Sequence, residues 1–408
     1  MPLLGALAAL VLCSTPAAPP SPAEPAPHAS RPAPVEARVA LPQKEGLGPI
    51  IAFMNYDANA GIEVKRWNGS AWQALGTPRG EFVQAGQPSL ALAPNGQPAL
   101  AYIAQTPGGS QVYFELWDGK RWLQLAGSAQ GGGVSASVTQ PSGYGASRPS
   151  LAFDGHGRPV IAWQHAGLED GVCCDIHVRV RLFDDGRWLD LGRPSSGTGA
   201  HTGSAGAPVL VVDGLGAPLV FWNNQRNGGG SAVFGKRWNG SKWSELAGSA
   251  TRGVPGSSQN GDPSAAVGPD GNPVVVWPLC PGIAVQGARF NDGWEPFGEG
   301  KATCGGQSGL AFPVTVDSHN RPVAVFLAGS GPRTLHVQRW EGGRPVELGA
   351  LDGKADAASI ARQGEDLVVA WSDNTRAVYV MRWDGTAWAP LGNPSGPGRF
   401  APPALVAR

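Results

Sequence analysis

The chain has 408 residues, with 31 Lys plus Arg set against 31 Asp plus Glu. That balance removes the electrostatic basis for binding nucleic acid or an anionic membrane surface. Sixty glycines and 38 prolines, with only 15% charged residues, match short strands joined by many turns.

The chain opens with MPLLGALAALVLC, residues 1–13, an apolar run too short to span a bilayer as a permanent helix. It resembles a bacterial lipoprotein signal, and the resemblance implies lipidation of Cys13 and a membrane tether through it. Ordinary export with signal cleavage is the alternative. Residues 14–42 are rich in Pro and Ala, cannot bury a core, and read as an extended linker. An exported protein is expected, either a cell-envelope lipoprotein or a secreted one.

Residues 43–408 are expected to form one repeat domain. RWNGSAWQALG at 66–76 returns as ELWDGKRWLQLAG at 115–127 and RLFDDGRWLDLG at 181–192. KRWNGSKWSELAG follows at 236–248, ARFNDGWEPFGEG at 288–300, QRWEGGRPVELG at 338–349 and MRWDGTAWAPLG at 381–392. Ahead of the later copies lies a second unit, such as RPSLAFDGHGRPVIAWQ at 148–164, which reads as strand, tight turn, strand. Together they predict four antiparallel strands, A to D, per repeat. That is the pattern of a propeller blade. The first copy begins at GPIIAFMN, which matches strand B, and the chain finishes with APPALVAR, which matches strand A. An all-β, seven-bladed β-propeller is therefore predicted, with the C-terminal strand completing blade one and removing an exposed edge. The C–D turn resembles the Asp-box of sialidase-type propellers. The repeat is also loosely similar to bacterial propellers and fucose-binding lectins. The resemblance implies the propeller fold. No arrangement of arginines suggests a sialidase carboxylate clamp.

The tryptophans on either side of the C–D turn, Trp67 and Trp72 in the first copy, are expected to pack between neighbouring blades, with Asn68-Gly69 making the reversal. The A–B and C–D turns are tight and share one face. The long B–C and D–A loops share the other, where binding is expected. At the ends of the B strands that face collects Asn55, Asp57, Gln105, Gln164, His165, Asn223, Asn224, Asp373 and Asn374. Amides and carboxylates beside aromatic rings can pair with sugar hydroxyls, because an amide both donates and accepts. A solvated polar rim is the plainer reading of the same residues.

QHAGLEDGVCCDIH, 164–177, is read as a loop rich in metal-ligand types, with His165, Asp175 and His177 as candidate ligands for a divalent ion. A vicinal Cys173–Cys174 disulfide is the competing reading, and Cys280 with Cys304 is a second candidate disulfide. Ser89, Ser150, Ser264 and Ser359 recur at the start of strand A. A catalytic serine would be unique, so these read as small residues on a crowded axis, and no catalytic residue is assigned. Two functional readings follow. One is a non-catalytic, monomeric binding propeller for a glycan or an envelope protein, without a cofactor. The other is an extracytoplasmic glycan hydrolase or lyase that uses a divalent metal at the 164–177 cluster.

Overall fold

A computed structural model of the chain describes residues 48–55, 61–78, 85–136, 145–169, 172–196, 205–225, 230–257, 261–280, 284–298, 313–328, 334–351, 355–373, 375, 377–395 and 403–407. Of residues 168, 169, 172–175, 279, 280, 284, 327, 328 and 356 only the backbone is described. All of them belong to the compact unit Lys44–Arg408. The described residues contain no α-helix. They form antiparallel strands and one 3-10 turn, Gly133–Ser135. No helix among them is long and apolar enough to cross a membrane.

The strands fall into four-stranded units. Unit one holds β1 (Ile50–Asn55), β2 (Gly61–Trp67) and β3 (Trp72–Ala74). Unit two holds β4 (Ala85–Leu92), β5 (Pro98–Thr106), β6 (Gly109–Trp117) and β7 (Trp122–Leu123). Unit three holds β8 (Gly145–Phe153), β9 (Pro159–Glu169), β10 (Val172–Asp184) and β11 (Arg187–Asp190). Unit four holds β12 (Val209–Val212), β13 (Pro218–Gln225), β14 (Ser231–Trp238) and β15 (Trp243–Glu245). Unit five holds β16 (Ser264–Val267), β17 (Pro273–Cys280), β18 (Ala284–Phe290) and β19 (Trp294–Gly298). Unit six holds β20 (Val314–Val316), β21 (Pro322–Ala328), β22 (Thr334–Glu341) and β23 (Arg344–Leu351). Unit seven holds β24 (Ala355–Gln363), β25 (Asp366–Asp373), β26 (Val378–Trp383) and β27 (Trp388–Pro390). The last strand, β28 (Ala404–Val406), pairs antiparallel with β1, Ile50 opposite Val406, and so supplies the fourth strand of unit one. Units two and three are also joined in the hydrogen-bond ladder by one parallel pair, Ser110 opposite Gly145.

Alternation along the strands sends apolar residues to both faces of each unit, and successive units pack face to face. In unit three, Val160, Ala162, Val178 and Val180 pack on Val220, Trp222 and Phe234 of unit four, while Ile161 and Trp163 pack on Ala101, Val112 and Phe114 of unit two. Ile51 and Phe53 of unit one pack on Val368, Ala370 and Val380 of unit seven. Each B strand carries an aromatic residue at an equivalent place: Phe53, Tyr102, Trp163, Trp222, Trp277, Phe326 and Trp371. Its ring fills the space between units.

The repeated tryptophans now acquire distinct jobs. In units one, two, four and seven the two indoles around the C–D turn are cross-strand partners, as Trp67 with Trp72 at 5.5 Å between ring centroids, and in units three and five Phe183 and Phe290 take the first place. The second indole also bonds to the preceding unit. Nε1 of Trp72 donates to the Leu391 carbonyl (2.8 Å), Trp122 to Leu75 (3.1 Å) and Trp188 to Leu125 (3.1 Å). Likewise Trp243 donates to Leu191 (2.8 Å), Trp294 to Leu246 (3.0 Å) and Trp388 to Leu348 (2.9 Å). Each such bond contributes about 1 kcal/mol net. Unit six has Pro345 where the indole would stand, and Trp340 instead buries itself against Phe297 of unit five, 5.4 Å between centroids.

Turn chemistry explains the Asn-Gly and Asp-Gly pairs. Asn68 Oδ1 accepts from the backbone N–H of Ser70 (2.9 Å) and Ala71 (2.8 Å), and Gly69 takes a left-handed φ of 103°. Asp118, Asn239 and Asp384 make the same pair of contacts. These N–H donors hold the Asp384 carboxyl down at about 2. The A–B turns interlock between units: Gly155 N–H donates to the Gly216 carbonyl, and Gly214 N–H to Gly271, both at 2.9 Å.

The repeated serines are structural, with a more specific task than filling a narrow axis. Ser89, Ser150, Ser264 and Ser359 each accept through Oγ from a backbone N–H of the next A strand, that of Leu151, Leu210, Val314 and Leu405 respectively, at 2.9–3.3 Å. They tie the innermost strands to one another.

Candidate functional site at the loop end of the A strands

The expected site residues do not form one constellation. Asn55 Nδ2 donates to Glu63 within its own hairpin (2.6 Å), and Gln105 accepts from Ser110 (3.1 Å). Asp373 Oδ1 accepts from the N–H groups of Thr375 and Ala377, and its Oδ2 from the Tyr379 hydroxyl. Asn224 is buried, with Oδ1 accepting from the N–H of Gln225. Asp57 and Asn374 lie outside the described residues.

The 164–177 segment is not a loop. It is the β9–β10 hairpin, with His165 directly opposite His177 and a bulge between Val172 and Asp175. The physical reason is visible in β10: Ile176, Val178, Val180 and Leu182 alternate with His177, Arg179 and Arg181. The apolar set faces unit four, and the polar set faces unit two, where Arg181 donates to the Val134 carbonyl. Both histidines are buried, with ring centroids 5.2 Å apart. Burial, then the nearby charges of His177, Arg179 and Arg193, hold the His165 imidazole down at about 3, so it is neutral at physiological pH. Arg179 Nε donates to His177 Nε2 at 3.2 Å and competes with any divalent ion for that lone pair. The side chains of Asp175, Cys173, Cys174 and Cys280 lie outside the described residues, as do Cys13 and Cys304 altogether. Among the described residues no three His, Cys, Asp or Glu side chains converge in a metal-holding group.

A different polar chain spans units two to five, built on positions the sequence reading passed over. The tripeptides Gln87-Pro-Ser, Arg148-Pro-Ser and Asp262-Pro-Ser occupy equivalent places at the start of three A strands. In β4 and β8 the pairing register slips just there, between Gly86 and Ser89 and between Ser147 and Ser150. Gln87 and Arg148 consequently take left-handed φ of 51° and 53°, which turns them out of the ladder. Gln87 Oε1 accepts from the Arg148 N–H at 2.6 Å. The Arg148 guanidinium pairs with the Asp262 carboxylate of unit five, reaching past unit four. Unit four carries only Ala207 at the equivalent place, which leaves the two side chains room to meet, and the Ala207 N–H donates to Asp262 Oδ1 at 3.4 Å.

Two of the expected residues flank this chain. Gln164 Oε1 accepts from Ser147 Oγ (3.0 Å), and its Nε2 donates to the Ala205 carbonyl (2.7 Å). The Asn223 carbonyl accepts from the Gly206 N–H (2.6 Å). A Cβ on Gly206 would stand 3.1 Å from both Asp262 Oδ1 and the Asn223 carbonyl oxygen, tight enough that one of them would have to give way slightly. The Arg148 side chain is 48% exposed and that of Asp262 18%. The arrangement thus offers an amide, a guanidinium and a carboxylate to solvent in one row. The signal that could have found it is the triple x-Pro-Ser motif with three different polar residues at x.

No protein-family model matches the chain, and no curated protein matches it in sequence. Among solved structures the chain is similar in fold to β-propellers. The Hadza microbial sialidase Hz136 is 12% identical over 76% of this chain and 71% of its own, with a TM-score of 0.50. The Penicillium chrysogenum alpha-L-arabinanase complexed with arabinobiose is 14% identical over 75% of this chain and 96% of its own, with a TM-score of 0.44. TolB from Acinetobacter baumannii is 14% identical over 88% of this chain and 67% of its own, with a TM-score of 0.42. At such identities the likeness is one of fold.

Proposed function

We propose that the chain is an exported, closed seven-bladed propeller that binds a glycan, without catalysis, at the loop end of its A strands. The architecture is supported by the β1–β28 pairing and by the packing of unit one on unit seven. Export rests on the apolar leader that ends at Cys13, with lipidation there as the tethering variant. The binding reading is carried by one observation, the solvent-facing Gln87–Arg148–Asp262 row. It places donors and an acceptor side by side on a scaffold whose strands hold them in position. Asp262 is the one carboxylate in that row, whereas glycoside hydrolysis uses a pair flanking the bond. That favours binding over the hydrolase reading.

The test is a broad array of neutral and acidic glycans probed with the full chain and with an Arg148→Gln/Asp262→Asn variant. Reproducible binding by the wild type that the variant loses is the expected outcome. Equal binding by both would remove the row from the site.

A further inference from the structure

The charge balance of the row says which glycans it takes, an inference that rests on the binding reading above. We infer that the ligand is a neutral, hydroxyl-rich saccharide that presents adjacent hydroxyls to Gln87, Arg148 and Asp262. Gln87 is exposed; its Oε1 is engaged by the Arg148 N–H, which leaves the two Nε2 protons to donate outward. Arg148 uses one guanidinium nitrogen on Asp262 and keeps others for a ligand, since the group carries five N–H donors. Asp262 accepts from Arg148 and from the Ala207 N–H, and a carboxylate has lone pairs beyond these. A hydroxyl can accept from the amide or guanidinium, and its neighbour can donate to the carboxylate. Both contacts form without parting the ion pair.

A charged ligand meets a different situation. A carboxylate or sulfate that reaches Arg148 also comes up against the Asp262 carboxylate, which already holds that guanidinium. An ammonium group that reaches Asp262 meets Arg148 in the same way. Attraction and repulsion act over similar distances and cancel to first order. Displacing Asp262 instead would leave its carboxylate, only 18% exposed, without its cation. Neutral hydroxyls avoid both penalties.

The experiment compares neutral oligosaccharides with uronic-acid, sialylated and sulfated ones on the full chain, at about 50 mM and about 500 mM sodium chloride, since screening separates charged from neutral recognition. The expected result is retention of neutral glycans at least about tenfold tighter than acidic ones, with affinity that changes less than about twofold between the two salt concentrations. Preference for acidic glycans, with affinity falling steeply in salt, would overturn this inference and leave the binding reading standing. Silence across every class would overturn both. The Arg148→Gln/Asp262→Asn pair should weaken neutral binding about tenfold, the size of one lost charge-assisted contact. Gln87→Ala, which removes the outward amide donors together with the acceptor of the Arg148 N–H, should weaken it about threefold. Full affinity in both variants would overturn the assignment.

Discussion

The two ends of the A strands are held by different means. At the turn end, units three, four and five meet through backbone: Gly155 to Gly216 and Gly214 to Gly271, so close that a Cβ on Gly216 would stand 2.5 Å from the Gly155 Cα. At the loop end, units two, three and five meet through side chains, Gln87 to Arg148 to Asp262. Backbone contacts depend on glycine and leave little to vary. Side-chain contacts carry the chemistry of whatever residue stands there. From unit three to unit five the chain therefore fixes its geometry at the turn end and individualises its units at the loop end, whereas the turns of units five and six meet through the Asn320 side chain.

Four experiments would sharpen or break that contrast. The largest effect is expected beneath the loop end, from the buried His165. Its folded-state pKa of about 3 lies below the usual 6.5. The unfolded chain therefore takes up the proton first, and stability present above pH 6.5 is lost as pH falls toward 3. The loss should reach on the order of 4 kcal/mol in denaturant titrations. His165→Gln should flatten that slope, and an unchanged slope would mean that another group titrates. At the turn end, Gly216→Val combines a φ of 79° with the 2.5 Å clash. It should cost about 3 kcal/mol in chemical unfolding. A cost under about 0.5 kcal/mol, the range of an ordinary surface substitution, would show that the turns are not interlocked in solution.

The two smaller effects separate bonds between units from bonds within them. Trp243→Phe removes the N–H that reaches the Leu191 carbonyl. It should cost about 1 kcal/mol by thermal unfolding, because a half-buried carbonyl loses its donor. Asn239→Asp should change stability by less than about 0.5 kcal/mol, since Asp118 and Asp384 make the same turn contacts in other units. A larger loss would mean that the four turns are not equivalent.

Much of this was legible in the sequence. The Trp-x-Gly-x-x-Trp spacing gave the C–D hairpins, and Trp67 and Trp72 are cross-strand partners as that spacing requires. The match of the final segment to strand A located the β28 pairing. The bonds from indole to leucine carbonyl were not legible, because they join residues about 40 to 60 positions apart with no local signature, and Trp72 to Leu391 spans almost the whole domain. The 164–177 segment was misread because its concentration of His, Cys and acidic residues drew more notice than the two-residue alternation running through Ile176, Val178 and Val180. The Gln87–Arg148–Asp262 row escaped for the opposite reason. Its members stand in three different repeats, and each looks ordinary until the register places them side by side.

The pairing of β1 with β28 also bears on how the chain reaches this state. Units two to seven are each made of strands contiguous in sequence, so each can assemble from local hairpins as it is synthesised. Unit one cannot: Ile50 must wait for Val406. The slow step in folding should therefore be this very long-range encounter, with its loop-closure entropy. Until it occurs, β1 keeps an open strand edge, the period in which a nascent copy is most exposed to pairing with another.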